Sequence, residues 1–118
     1  MKIYYAHCMA IYNTPQEKRD IITLANLGFD VINPNKRKHD IECKKRDRSM
    51  DYFVELVKSC DAVAFRANPD GSITSGVFME VEIARSKGMP VIELPSSILR
   101  RQMTYKETKE YLQEIGER

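Results

Sequence analysis

The chain is organised around residues 61–94, which read DAVAFRANPDGSITSGVFMEVEIARSKGMPVIEL. The opening Asp-Ala-Val-Ala-Phe is short and mostly apolar, which is typical of a buried strand. Apolar residues at Val77, Val81 and Ala84 have helical spacing, and Gly88 is placed to end that helix. The last four residues resume as a strand. This strand–loop–helix–strand order predicts parallel strands joined by a right-handed crossover.

The flanking segments repeat the same pattern. Two strands are predicted at residues 2–6 and 29–32, and the helix between them begins at Thr14, a capping residue followed by proline. Another helix, with Ser49 as its candidate cap, leads into the stretch quoted above. A capping-box signal at Thr104 begins a last helix that we expect to pack back on the sheet.

The resulting β-α-β-α-β-α-β-α order predicts one α/β domain over residues 1–118. We expect a three-layer α/β/α architecture, Rossmann- or flavodoxin-like, with a four- to five-stranded, mainly parallel sheet. The expected strand order is 2-1-3-4. That order places a ligand crevice where it reverses, at the carboxyl ends of strands 1 and 3.

Composition limits the classes of protein to which the chain can belong. The 118 residues carry a net charge of +2, which is too small to argue for nucleic acid as a partner. No apolar run has the length of a membrane span, and no signal-peptide pattern opens the chain. Cys8, Cys43 and Cys60 are odd in number and lack Cys-x-x-Cys spacing, which indicates free thiols. We therefore expect a cytoplasmic protein with no membrane association, no metal site and no cofactor.

Residues 35–48 differ from the rest in being strongly basic, with seven Lys or Arg against three Asp or Glu. No apolar stripe runs through them, so a solvated, mobile loop is the favoured interpretation. The alternative is a lid whose cations meet a phosphate-bearing ligand. A nucleic-acid surface is a third interpretation, but the segment lacks the interleaved aromatic residues that stack on bases.

The loop before the helix at 77–87 has the chemistry of an anion site. Thr74, Ser75 and Gly76 offer hydroxyls and backbone N–H groups next to a helix N-terminus. The alternative is that Thr74 or Ser75 simply caps the helix, which is compatible with anion binding.

Glu80 lies close to the apolar face of that helix, and no capping box explains it. A carboxylate near the positive end of a helix can stay ionised in a partly dry pocket, and this suits a nucleophile that attacks a sugar's anomeric carbon. The alternative is a glutamate that pairs with Arg85 or Arg66 at the edge of the helix.

Three short motifs resemble the nucleoside 2-deoxyribosyltransferase superfamily, which includes deoxynucleoside 5′-monophosphate N-glycosidases. Residues 3–9, Ile-Tyr-Tyr-Ala-His-Cys-Met, are similar to that family's Ile-Tyr-Leu-Ala-Gly-Pro-Met. Residues 60–65 are similar to its strand that opens with Asp. Residues 76–92 are similar to its Gly-Thr-x-x-Glu-x-Gly-x-Ala…Gly-Lys-Pro-Val-Ile.

The resemblance implies roles for particular residues. Glu80 is the expected nucleophile, and Asp61 is expected to assist it. The sugar or phosphate is expected to contact residues from the first strand's end and from the anion loop, namely Tyr5, His7, Met9, Thr74, Ser75 and Gly76. Asp61 has a structural alternative, as a capping or pairing residue at the start of a strand. The family also implies a homodimer or higher homo-oligomer, for which the last two helices with Met79 and Met103 are the candidate face.

The chain departs from the family pattern at several positions. His7-Cys8 replaces Gly-Pro after the first strand, and Glu82 replaces a glycine. Thr74 stands where transferases carry Asp and where phosphate-preferring glycosidases carry Ser, which favours a nucleotide over a nucleoside. The expected activity is N-glycosidic bond hydrolysis or base exchange on a (deoxy)nucleoside 5′-monophosphate. The alternative is a non-catalytic module of the same fold that binds a nucleotide or an ADP-ribose-type ligand.

Overall fold

A computed structural model describes residues 1–47, 49–95 and 102–117. Within these ranges the chain forms a four-stranded sheet, one short 3₁₀ helix and five α-helices. The elements in chain order are β1 (Lys2–Ala6), a 3₁₀ helix (Met9–Ile11), α1 (Pro15–Asn26), β2 (Asp30–Ile32), α2 (Arg37–Lys45), α3 (Asp51–Lys58), β3 (Ala62–Phe65), α4 (Ser75–Ser86), β4 (Val91–Glu93) and α5 (Tyr105–Glu114).

The sheet is entirely parallel, and its strand order is β2-β1-β3-β4. Both the predicted parallel pairing and the predicted order 2-1-3-4 are confirmed. Tyr4 in β1 lies opposite Ile32 in β2 on one side and Val63 in β3 on the other. The carboxyl ends of β1 and β3 therefore lie side by side at the centre of one edge of the sheet. From there the chain runs from β1 towards β2 on one side and from β3 towards β4 on the other.

The alternation of side chains along β1 divides the core into two clusters. Tyr4 and Ala6 face one side of the sheet and pack with buried residues of α3 and α4. Ile3 and Tyr5 face the other side and pack with Leu24 of α1. The architecture is thus α/β/α in three layers, with the central strands covered on both faces, as expected for a parallel sheet.

Helices α1 and α4 are capped by threonines that the sequence identifies as candidate caps. The Thr14 hydroxyl accepts a hydrogen bond from the Glu17 N–H at 3.3 Å, and the Thr74 hydroxyl accepts one from the Val77 N–H at 3.4 Å. These caps satisfy backbone donors that would otherwise lack partners. Gly28 ends α1 with a φ of 94°, a conformation that favours glycine.

Helix α2 contradicts the prediction of a mobile loop over residues 35–48. His39 is buried, and its Nδ1 lies 2.5 Å from the Tyr52 hydroxyl on α3. Arg46, just beyond the helix, pairs with Glu55 of α3 at 2.7 Å. Polar contacts to α3 hold this segment in place, so it needs no apolar stripe. Arg48 lies outside the described residues.

Helix α5 forms with the predicted capping box, in which Thr104 and Glu107 each bond to the other's backbone N–H. None of its residues is buried, which shows that it does not pack back on the sheet as expected. Tyr105 is 84% exposed. The connector predicted before it falls mostly on residues 96–101, outside the described residues. None of the helices described here is both long and apolar enough to cross a membrane.

Candidate active site

Glu80 lies on the buried face of α4 with a side chain that is only 6% exposed. Its Oε2 accepts a hydrogen bond from the hydroxyl of Tyr4, which is itself buried in the middle of β1. Within the described chain, Tyr4 is its one hydrogen-bond partner. Every fully buried side-chain nitrogen or oxygen described has a partner, so Oε1, which has none, reaches solvent. Tyr4 holds Oε2 of the carboxyl, and Oε1 has no partner within the described chain.

Burial raises the pKa of Glu80 to about 7, even though the Tyr4 hydrogen bond acts to lower it. The sequence predicts that a carboxylate near the helix N-terminus can stay ionised, whereas this pKa leaves part of the carboxyl protonated at neutral pH. Helix α4 begins at Ser75, which places Glu80 in the second turn. The favourable field of a helix terminus fades beyond the first turn, so desolvation dominates. Near neutral pH the carboxyl exists in both protonation states.

Thr74, Ser75 and Gly76 form the start of α4, which begins two residues before the predicted helix at 77–87. Thr74 is the cap, and Ser75 is the first helical residue. A Cβ added to Gly76 would lie 3.6 Å from the Cε of Met50, an ordinary contact, so Gly76 is not required there by close packing. Backbone N–H groups of this first turn precede Glu80, which lies in the second turn of α4.

Tyr5 and His7 lie on the opposite side of the sheet from Glu80. The Tyr5 hydroxyl donates to Asp20 at 2.5 Å. His7 is buried, stacks on the Tyr5 ring with centroids 3.8 Å apart, and lies 2.8 Å from Glu17 through its Nε2. The structure therefore does not bring Tyr5 or His7 into contact with Glu80.

Asp61 and Met9 also lie apart from Glu80. Asp61 precedes β3 at the amino edge of the sheet, is exposed, and accepts a hydrogen bond from the Lys2 N–H at 2.8 Å. This contact agrees with the structural alternative, in which Asp61 pairs at the start of a strand and takes no part in catalysis. Met9 begins the 3₁₀ helix after β1 at the carboxyl edge and is 77% exposed.

Tyr4 is the functional candidate that the sequence reasoning missed. The period of two along β1 shows that Tyr4 and Tyr5 face opposite sides, but not which side holds Glu80. That assignment requires the position of α4. The raised pKa of Tyr4, caused by burial and then by the charge of Glu80, keeps its hydroxyl protonated as a donor.

Tyr12, which follows the 3₁₀ helix, is a second missed residue. Its ring is tilted against His7 with centroids 4.9 Å apart. Burial and then the charges of Glu80 and Glu17 raise its pKa to about 12. Its hydroxyl has no hydrogen-bond partner in the described chain, so it is a neutral donor open to solvent.

A buried ion pair joins α1 to the end of β3. The Arg66 guanidinium donates to both carboxylate oxygens of Asp20, at 2.9 and 2.6 Å, and also to the Pro95 carbonyl. Burial opposes ionisation of Asp20, but hydrogen bonds from Arg66, Tyr5 and Gln16 hold its pKa below the usual value. The pair fixes the loop after β3 against α1.

A cavity of about 350 Å³ opens at this same edge, on the α1 side of the sheet. It lies between the chain after β1, the start of α1 and the loop after β3. None of the residues predicted to form the site lines it. Its lining residues are Ala10, Ile11, Thr14, Gln16, Arg66, Ala67, Asn68 and Pro69.

No protein-family model matches this sequence, and no curated protein matches it. The resemblance to the deoxyribosyltransferase superfamily therefore stays a prediction. The described residues also contain no group of three or more His, Cys, Asp or Glu side chains that could hold a metal ion.

Proposed function

We propose that the protein cleaves or exchanges the N-glycosidic bond of a (deoxy)nucleoside 5′-monophosphate, with Glu80 as the nucleophile. The observation that carries this proposal is the state of the Glu80 carboxyl. One of its oxygens is fixed by Tyr4, and the other has no hydrogen-bond partner in the described chain. A positioned carboxylate in a largely dry site is suited to attack on an anomeric carbon.

The chemistry proceeds in two displacements. The open oxygen of ionised Glu80 attacks C1′, and the C1′–N bond breaks with its electron pair passing to the base, which takes up a proton from solvent. Water or a second base then attacks C1′ and releases a proton to solvent, and the bond to Glu80 breaks to regenerate the carboxylate. Tyr4 holds the carboxylate in orientation throughout as a hydrogen-bond donor.

Thr74 and Ser75 are the residues we assign to the 5′-phosphate. Both are exposed at the first turn of α4, where N–H groups and the helix field favour an anion. This assignment, and that of a homo-oligomer using Met79 and Met103, follow from the resemblance. Met79 and Met103 are 37% and 39% exposed, which leaves both available to a second subunit.

A second candidate function is non-catalytic binding of a nucleotide or ADP-ribose-type ligand. It is favoured by the raised pKa of Glu80, about 7, because a carboxyl that is partly protonated at neutral pH is a weaker nucleophile. Under this alternative, the site around Glu80 and Thr74 binds the ligand and leaves it intact.

The deciding experiment incubates the protein with ribo- and deoxyribonucleoside 5′-monophosphates and follows free base by chromatography. We expect the wild type to release base and Glu80→Gln to release none. Glu82→Gln is the matched control, since Glu82 lies on the same helix but is half-exposed and pairs with Arg85 at 3.1 Å.

Two other outcomes separate the alternatives. Nucleotide-dependent thermal stabilisation without base release favours the binding module. Equal base release by the wild type and Glu80→Gln removes Glu80 from the mechanism.

A further inference from the structure

A second cavity, of about 460 Å³, opens between α2 and α3. Its lining residues belong to the first two turns of α2 and to the first turn of α3, and they are Lys38, His39, Ile41, Glu42 and Tyr52. The volume is within the range of small-molecule sites. None of these residues belongs to the site around Glu80 and Thr74, so the proposed function leaves this cavity unexplained.

The unpaired positive charge of α2 lies at the start of the helix. Residues 36–38, Lys-Arg-Lys, form no ion pair with any described residue. Further along, each cation has a carboxylate partner, in the pairs Lys44–Asp40, Lys45–Glu42 and Arg46–Glu55. Positive side chains in the first turn oppose the field of the helix, which favours an anion there. Three adjacent cations with no counter-charge in the described chain therefore favour binding of an external anion.

The backbone of the same turn also has donors without acceptors. No side chain caps α2. The His39 and Asp40 N–H groups donate to the Lys36 carbonyl, but the N–H groups of Arg37 and Lys38 have no acceptor among the described residues. The other helices that begin with a threonine, such as α1 and α4, satisfy such a donor internally. Exposed N–H groups beside positive side chains are the elements of a phosphate site at a helix start.

His39 presents a buried donor nitrogen to the cavity. Its side chain is only 5% exposed, and its Nδ1 lies 2.5 Å from the Tyr52 hydroxyl. Its Nε2 has no partner in the described chain, and every fully buried side-chain nitrogen described has one, so Nε2 reaches solvent in the cavity that His39 lines. When the Tyr52 hydroxyl donates to Nδ1, the ring proton lies on Nε2, which then faces the cavity as a donor.

The remaining walls of the cavity differ in character from the Lys38 end. Ile41 is 43% exposed and, with the ring of Tyr52, forms an apolar wall. Glu42 is the one acid that lines the cavity, and its Oε1 accepts a hydrogen bond from Lys45 at 3.2 Å. A ligand therefore meets positive charge at one end, whereas a second anionic group near Glu42 would be repelled.

We propose that this cavity is a second ligand site, which binds a small organic phosphate. The phosphate lies at the first turn of α2, where it meets the Lys38 ammonium, the N–H groups of Arg37 and Lys38, and Nε2 of His39. A neutral apolar group of the ligand packs against Ile41 and Tyr52. A small ligand is favoured over a nucleic-acid strand because the cavity is of limited volume and the chain has a net charge of only +2. The proposal does not depend on catalysis by Glu80.

The test titrates ¹⁵N-labelled protein with inorganic phosphate and with phenyl phosphate at constant ionic strength. Binding is followed through the backbone amide signals of Arg37 and Lys38. Lys38→Ala removes a cation of the site, and Lys44→Ala is the matched control, which removes the same charge from the same helix. Ile41→Ala removes part of the apolar wall, with Ile22→Ala on the exposed face of α1 as its control. Thermal melting confirms that each variant is folded.

We expect both probes to shift these amide signals in a saturable way, with phenyl phosphate binding more tightly. Lys38→Ala should weaken binding of both probes about three- to tenfold, as expected for the loss of a charge-assisted hydrogen bond, and Lys44→Ala by less than about twofold. Ile41→Ala should weaken binding of phenyl phosphate about threefold and leave inorganic phosphate unchanged. Ile22→Ala should change neither.

Three results would overturn the assignment. Shifts of the amide signals of Thr74–Val77 without shifts at Arg37 and Lys38 would place the phosphate at the start of α4, which is the site of the proposed function. Equal losses in Lys38→Ala and Lys44→Ala would show attraction to the overall charge and no defined site. Shifts caused by a thymidine oligonucleotide without a terminal phosphate, but by neither phosphate probe, would indicate a nucleic-acid surface instead.

Discussion

Replacing Glu80 with glutamine tests whether burial raises the pKa of this carboxyl. In the folded protein, the pKa of Glu80 is raised from 4.5 to about 7 by desolvation. The unfolded chain loses this proton near the ordinary pKa, whereas the folded chain retains it until higher pH. Between these two values the unfolded state binds fewer protons, so the free energy of unfolding falls as pH rises.

The magnitude follows from the same pKa. Each pKa unit corresponds to about 1.4 kcal/mol, so ionised Glu80 costs the fold about 3 kcal/mol above pH 8 and nothing below pH 4. Glutamine cannot ionise. The difference in unfolding free energy between Glu80→Gln and the wild type should therefore shift by about 3 kcal/mol in favour of the variant over this range.

The assay is urea unfolding at several pH values from 4 to 8.5, followed by circular dichroism for both proteins. The new amide group can add a constant amount to the difference in unfolding free energy. This does not affect the test, because only the change of that difference with pH is compared. Glu82→Gln is the control, and its difference from the wild type should stay nearly flat, since Glu82 is exposed on the same helix. A Glu80→Gln difference that varies by less than about 1 kcal/mol across this pH range would refute the reasoning.

Three further predictions test the contacts around the site. Tyr4→Phe should destabilise the protein by about 2 kcal/mol at pH 8.5 and by less at pH 5, because the lost hydrogen bond is strongest to the ionised carboxylate of Glu80. Asp20→Asn should cost about 3 kcal/mol at pH 7, because it leaves Arg66 buried without its counter-charge, and the cost should shrink as pH falls through the lowered pKa of Asp20. Leu24→Ala should cost about 3 kcal/mol at any pH, since this fully buried side chain leaves a cavity under α1.

Each of these variants has an exposed counterpart, and all are measured by the same urea unfolding. Tyr111→Phe on α5 matches Tyr4→Phe, and Tyr105→Ala matches Leu24→Ala. Asp40→Asn matches Asp20→Asn, because Asp40 pairs with Lys44 at 3.0 Å on the surface of α2. We expect each control to cost less than about 0.5 kcal/mol. If a variant and its control lost the same amount of unfolding free energy, this would contradict the burial on which the prediction depends.

The sheet could be predicted from local signals alone. Short apolar runs, the Thr14 and Thr74 caps and the glycine after α1 each determine a boundary through a few neighbouring residues, and the structure has all of them. The strand order 2-1-3-4 is one of the orders common in parallel sheets and was chosen among them, and the structure has it.

The parts that could not be predicted depend on contacts between distant segments. Helix α2 is held by His39 and Arg46 against α3, which no pattern within residues 35–48 reveals. The partner of Glu80 is 76 residues away in sequence, at Tyr4. Helix α5 was expected to pack on the sheet from its pattern and capping box, but such signals predict that a helix forms and not what it contacts.

The central claim is that Glu80 forms a covalent bond to the sugar. The most direct test mixes the wild type with the deoxynucleoside 5′-monophosphates, stops the reaction with acid within the first turnover, and maps modified peptides by mass spectrometry. We predict a peptide containing Glu80 that carries the mass of the deoxyribose phosphate, and no such adduct in Glu80→Gln. Base release with the Glu80 peptide unmodified, or an adduct on any other residue, would contradict the account.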